Sequence, residues 1–212
     1  MAVIDAETGT PAPAKEPGGL RERQRQARGA AILEAAFALI VEQGYDALTM
    51  EGLAARVGIS RQTLYHHFAS REEITLRAVL TLMDRGIEAI HSFDTSLPPA
   101  ERLKGIVRWM LESRFQPTTA ALVKVRHSLM TVKAHPEYQR AFERRAAELA
   151  GIVEAAQNAG ELRADLPSRL IVQMLLGLVS DASYEDFIAA GQTTVTEVAD
   201  AIIGVFFTGL HP

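Results

Sequence analysis

From about residue 28 to the C-terminus, apolar side chains return at intervals of three and four, the spacing that puts them on one face of a helix. Ile32, Ala36, Leu39 and Ile40 form the first such stripe, and Gly44 provides its stop. This predicts a first helix over about 28–43. Thr49 is placed to cap a short second helix holding Leu53, Ala54 and Val57, which ends at Gly58. Ser60 caps a third, running to Phe68. The run Ser70-Arg71-Glu72-Glu73 reads as a capping box opening a fourth, to about Ile90. Pro98-Pro99 opens a fifth, to about Phe115, and Thr118 or Thr119 caps a sixth, to about Val132. Pro136 suits the first turn of a seventh that ends near Gly160. Pro167 starts an eighth, to about Ala190, and a ninth covers about 194–208. No run alternates with the period of two that a half-buried strand needs. The expected fold is all-α, with about nine helices.

Residues 1–19 are rich in Ala, Pro, Gly and Thr and carry no stripe, so they read as a disordered tail. The chain has 212 residues and no cysteine, which removes disulfides, zinc ribbons, iron–sulfur clusters and thiol redox chemistry. Its longest apolar stretches are interrupted by Glu34 and Gln173, so none reaches the ~18 residues of a membrane span. No signal peptide is visible, and the cytoplasm is the expected location. The net charge is −4, but it is unevenly spread. Residues 101–145 hold ten basic and four acidic side chains, and 146–212 hold two basic and nine acidic. Arg21, Arg23, Arg25 and Arg28 crowd around one acid, Glu22, as either a solvated tail or an arm that orders on a duplex. No acid lies between Glu51 and Glu72, where Arg56, Arg61, His66, His67 and Arg71 are found. An acidic total therefore leaves a nucleic-acid partner open.

The segment Thr49–Phe68, TMEGLAARVGISRQTLYHHF, has the physics of a helix-turn-helix. Ala54 is small where two helices must cross, and Gly58 can adopt the positive φ of a tight turn. Ile59, Leu64 and Phe68 point to the core. At about 100° per residue, His66 lies opposite Leu64 and Phe68, flanked by Gln62 and Thr63, with Tyr65 to one side. That outward face is polar, aromatic and free of acids. Arg61 sits in the first turn, from which a long side chain reaches past the helix end.

This segment, and above all Thr63-Leu64-Tyr65-His66-His67-Phe68 followed by Ser70-Arg71-Glu72-Glu73, resembles the TetR family of bacterial transcriptional repressors. The resemblance implies three parts: the tail (1–20), a helix-turn-helix DNA-binding domain (21–75) and a helical ligand-binding and dimerisation domain (76–212). It implies a DNA contact set of Thr49, Ser60, Arg61, Gln62, Thr63, Tyr65 and His66. Arg61 suits guanine, Gln62 suits adenine and the Thr63 methyl suits thymine, while Tyr65 and His66 suit phosphates. His67 is expected to pack, partly buried. One position departs from the family pattern: a phosphate-anchoring Lys commonly follows the Phe, and here it is Ala69, for which Arg71 is the expected substitute.

Further along, Trp109, Met110, Met130, Phe142 and Met174 are candidates to line an apolar effector cavity. Arg108, Arg114, Lys124 and Arg126 are either solvated or hold an anionic head group. The eighth and ninth predicted helices are apolar over wide faces, and Ile171, Leu175, Leu178, Ile202 and Phe206 are the expected contacts of a homodimer. Cofactors and metals are not expected. G-x-S-x-G, phosphate-loop, G-x-G-x-x-G and H-E-x-x-H patterns are all missing, which argues against an enzyme. The expected function is a ligand-responsive repressor that binds a near-palindromic operator and is released by a small, largely apolar molecule. The alternative is a ligand sensor acting through protein partners without DNA, and the acid-free face of the third helix favours DNA.

Overall fold

The computed structural model describes residues 19–117, 119–120, 132–181 and 183–211, and among these every regular element is helical. The elements are α1 (Leu20–Gln43), α2 (Met50–Val57), α3 (Arg61–His67), α4 (Arg71–Ser92), α5 (Pro99–Arg114), α6 (Pro136–Asn158), α7 (Ser168–Val179), α8 (Ser183–Ala189) and α9 (Val195–Gly209), with a single 3₁₀ turn at Tyr45–Ala47. The expected helix over about 119–132 falls mostly on residues 121–131, outside the described residues. Met130, Lys124 and Arg126 lie there too, and so does the tail up to residue 18.

Helix starts follow the capping chemistry. The hydroxyls of Thr49, Ser60 and Ser70 accept the N–H groups of Gly52, Thr63 and Glu73 at 3.0, 3.0 and 3.2 Å, satisfying amides that have no partner within the helix. The expected box at Ser70 closes one residue early, because the Glu73 carboxylate accepts from the Ala69 N–H at 2.7 Å. A complete box forms instead at α9, between Thr194 and Glu197. Gly44 (φ 84°) ends α1, and Gly58 (φ 73°) makes the turn between α2 and α3.

Two expectations about helix limits are corrected. α1 begins at Leu20, so Arg21–Arg28 is neither tail nor loose arm but two further helical turns. Arg, Gln, Glu and Ala hold a helix there by propensity, without an apolar stripe. The single helix expected over 167–190 is broken at Ser180-Asp181, where the Asp181 carboxylate accepts both the N–H and the hydroxyl of Ser183 and starts α8.

Three apolar clusters organise the molecule. The first joins α1, α2, α3 and the start of α4 through Ile32, Leu53, Leu64, Phe68, Ile74 and Ala78. The second lies between α4 and α6, with Leu76, Val79, Met83 and Ala141. The third and largest unites α5, α6, α7 and α9 around Leu103, Ile106, Leu149, Val153, Ile171 and Leu175. α4 contributes to all three, with Ile90 reaching the last. The expected domain limit at residue 75 therefore falls inside one unbroken helix.

Candidate nucleic-acid interface

α3 is held to the head by its inner face, with Leu64 fully buried and Phe68 nearly so. Ile59 donates its N–H to the Ala54 carbonyl at 3.0 Å, which fixes the tight α2–α3 crossing. The remaining face points out. Arg61, Gln62, Tyr65 and His66 are exposed, and Tyr65 keeps 47% of its surface. Thr49 and Ser60 are exposed caps. Thr63 is half-buried, its hydroxyl 2.8 Å from that of Ser60. The structure thus brings the seven expected contact residues onto one end of the head.

That face is less free of acid than the sequence suggests. Glu51, in the first turn of α2, pairs with Arg61 at 3.0 Å, both side chains well exposed. Exposed pairs of this kind contribute at most about 1 kcal/mol, so a phosphate or a guanine edge competes with Glu51 on favourable terms. Ala69 offers no phosphate anchor, and Arg71 does not replace it. The Arg71 guanidinium lies 3.7 Å over the Tyr45 ring, donates to the Tyr45 carbonyl at 2.7 Å and approaches Asp46 at 3.7 Å. It is 28% exposed and serves to dock the 3₁₀ turn onto α4. The Ala69 amide is likewise engaged, by Glu73.

The sequence gives less warning of the basic end of α1. Its N-terminal turns expose Arg21, Arg23, Arg25 and Arg28, with Arg25 bonded to Glu22 through two nitrogens at 3.1 Å. Those turns lie beside α3: a Cβ on Gly29 would stand 3.9 Å from the His67 ring. Burial, followed by the charges of Arg28, Arg25 and His66, holds the His67 pKa below the usual histidine value. His67 is thus the half-buried packing residue expected of it, wedged under a cationic ridge that continues the α3 face.

The other expected sites change more. Met110 is buried in the large core, and Trp109 and Phe142 pack against that core, but Met174 is 51% exposed on the outer side of α7. It lines no cavity. Arg108 reaches Asp200 in an exposed pair, and the buried Arg114 donates to the Val179 carbonyl and to Glu185. Ile171 and Leu175 have no exposed surface, and Ile202 and Phe206 are buried in the same core. Ile171 and Leu175, without accessible surface, cannot touch a second chain; Ile202 and Phe206 keep 8% each, and Leu178, at 37%, is the most exposed of the five. The outer apolar side of α7 and α9 consists instead of Leu170, Met174, Leu178 and Val205, the last 78% exposed. Among the described residues no cluster of His, Asp and Glu could hold a metal, and no helix is long and apolar enough to cross a membrane.

A family model described as "Bacterial regulatory proteins, tetR family" matches residues 32–78, and one described as "Tetracyclin repressor-like, C-terminal domain" matches 96–210. The chain is 28% identical over 193 residues to the HTH-type transcriptional regulator TcmR of Streptomyces glaucescens, covering 87% of this chain and 85% of that one. It is 27% identical over 196 residues to the HTH-type transcriptional regulator UidR of Escherichia coli K12, covering 84% and 91%. Its fold matches the crystal structure of the transcriptional regulator FadR from Bacillus subtilis in complex with stearoyl-CoA, with a TM-score of 0.65 at 18% identity over 86% of this chain and 99% of that one.

Proposed function

The chain belongs to the TetR family of bacterial transcriptional regulators, DNA-binding helix-turn-helix proteins rather than enzymes, and from that premise we propose that it is a homodimeric repressor released from its operator by a small, largely apolar molecule. The observation that carries the reading is the outward face of α3, where Arg61, Gln62, Tyr65 and His66 stand exposed beside the arginines of α1. Gln62 reads adenine and Arg61 reads guanine in the major groove. Thr63 meets a thymine methyl, and Tyr65 and His66 hold phosphates. The hydroxyls of Thr49 and Ser60 mark two helix N-termini whose amides favour phosphate.

Dimerisation supplies the second α3. Its proposed surface is the outer side of α7 and α9: Leu170, Met174, Leu178 and Val205, with Ala201, Gly204 and Thr208 exposed between them. The small residues let two helices approach closely. A dimer of this kind places two α3 helices about 34–36 Å apart, one duplex turn. An effector acts only by favouring a dimer of different spacing, and shifting the population from 1:99 to 99:1 needs about 5.5 kcal/mol of differential affinity. α4 carries the change, because its first turns sit in the head core and its later turns pack on α6, where Glu137 holds Arg77 and Asp84 holds Arg144. The stearoyl-CoA bound by the Bacillus FadR is consistent with an effector that is apolar over most of its length.

The test is a mobility shift with the DNA upstream of the chain's own gene, repeated at rising salt. Binding should weaken by about 10³–10⁵ between 50 and 200 mM if six or more phosphates are engaged. Absence of a shift at low salt would overturn the reading and leave a sensor that works through protein contacts.

A further inference from the structure

The Nε atoms of Arg71, Arg102, Arg114 and Arg145 are all shut off from solvent with no acceptor. Three of these side chains place their other nitrogens on the chain itself: Arg71 on the Tyr45 carbonyl, Arg102 on the Ile90 carbonyl, and Arg114 on the Val179 carbonyl and the Glu185 carboxylate. Arg145 is different. Among the described residues no carbonyl or carboxylate accepts from any of its nitrogens. The acids nearest to it in sequence on α6 are Glu143, Glu148 and Glu137. Glu148 faces His91 at 3.0 Å, Glu137 is held by Arg77, and Glu143 is exposed.

Arg145 stands beside an aromatic ring. Its guanidinium carbon lies 5.9 Å from the centre of the Phe142 ring, and Tyr138 stacks on that same ring, centroid to centroid 6.4 Å. Tyr138 and Phe142 pack against Leu76, Val79 and Met83 of α4. Burial lowers the pKa of Arg145, with Tyr138 opposing the shift, and burial raises that of the Tyr138 phenol. The phenol therefore keeps its proton and remains a donor. A guanidinium that no carboxylate among the described residues neutralises, one aromatic ring away from a protonated phenol and beside an apolar cluster, is the donor set of an anion receptor.

We propose that Arg145, assisted by Tyr138, anchors the carboxylate of an amphipathic monoanionic effector, whose hydrocarbon part lies against the α4–α6 cluster of Leu76, Val79, Met83 and Phe142. The planar fork of an arginine matches a carboxylate with two parallel N–H···O bonds. One cation suits one negative charge; a dianion would leave its second charge buried and unpaired. The inference deepens the proposed function, resting on the ligand-responsive reading and naming the chemistry of the ligand. It also moves the head-group site from Arg108, paired with Asp200, and Arg114, paired with Glu185, to Arg145.

Dodecanoate, dodecan-1-ol and dodecyltrimethylammonium are the probes, measured by calorimetry on the full chain, Arg145→Met, Arg145→Gln and Arg140→Met. Arg140 is exposed on the same helix and controls for surface charge. Dodecanoate should bind the parent chain about 10- to 100-fold more tightly than the alcohol, the ammonium should bind least, and the preference should vanish in both Arg145 variants but persist in Arg140→Met. Arg145→Gln keeps the position polar should the Met variant fail to fold. Equal binding of dodecanoate and dodecan-1-ol to the parent chain, or dodecanoate binding unchanged in the Arg145 variants, would overturn the proposal. The mobility shift without any probe judges the regulator separately: a chain that binds its operator yet ignores the carboxylate refutes Arg145 alone, and one that binds dodecanoate through Arg145 yet shifts no DNA refutes the operator reading alone.

Discussion

Single side chains at the head decide base preference, anchoring and pH response separately. Among the described residues Gln62 has no partner that holds the fold, so Gln62→Ala should leave the melting temperature unchanged and relax base preference at one operator position by about 1–3 kcal/mol. Selection from randomised operators reads this directly. A profile identical to the parent's would remove Gln62 from the readout. His67 responds to pH through burial and the neighbouring Arg28 and Arg25, which hold its pKa below the usual 6.5. The unfolded chain then takes up the proton first. Its contribution to stability is intact above about pH 6.5 and is lost as pH falls through the depressed folded value. Thermal melts from pH 7.5 to 5 should accordingly show a smaller decline for His67→Asn than for the parent chain. Parallel curves would mean that His67 titrates like a free histidine. The inward side of α3 was readable from the spacing of Leu64 and Phe68 and the outward side from what remained. The Arg61–Glu51 pair was not, because ten residues of sequence do not reveal which side chains two crossing helices bring together.

Among the helices, legibility follows the chemistry of the ends. Thr49, Ser60 and Ser70 announce their caps because a hydroxyl before an apolar stripe has one strong local use. The break between α7 and α8 is hidden, since Ser180-Asp181 interrupts an apolar run without a Gly or Pro, and only the Ser183 amide shows what Asp181 is for. The first turns of α1 lack a buried face and so carry no periodic signal at all. Their effect is nonetheless large, because they extend the cationic surface next to α3. At the α3–α4 junction the chain lacks a phosphate anchor: Ala69 has no charge and Arg71 is committed to Tyr45. Ala69→Lys should therefore strengthen binding to operator and random DNA alike and steepen the dependence of log K on log salt by about 0.9, the value of one added phosphate contact. Filter binding over a salt series measures both. A gain confined to the operator would contradict the backbone assignment.

For the whole molecule, the expected dimer face is instructive. α7 and α9 are apolar on both sides, so sequence periodicity shows that they need burial without showing which side is already buried. The core claims Ile171, Leu175, Ile202 and Phe206, leaving Leu170, Met174, Leu178 and Val205 outside. Met174→Glu combined with Val205→Glu should leave helicity unchanged, yield a monomer in light scattering and abolish operator binding, because one α3 grips only a half-site. A double variant that remains dimeric would move the interface elsewhere. α4 has a different consequence. Twenty-two residues of unbroken helix make a strut about 33 Å long, with one end set in the core that carries α3 and the other, through Ile90, in the large core of α5, α6, α7 and α9. Pivoting such a strut by about 5° sweeps its far end through roughly 3 Å, the width of a hydrogen bond at a base edge. Neither core can be redesigned in isolation, and changes in the strut's middle turns, near Gly86 where the Trp109 ring leans on it, should yield regulators deaf to their inducer or permanently off their operator while touching neither.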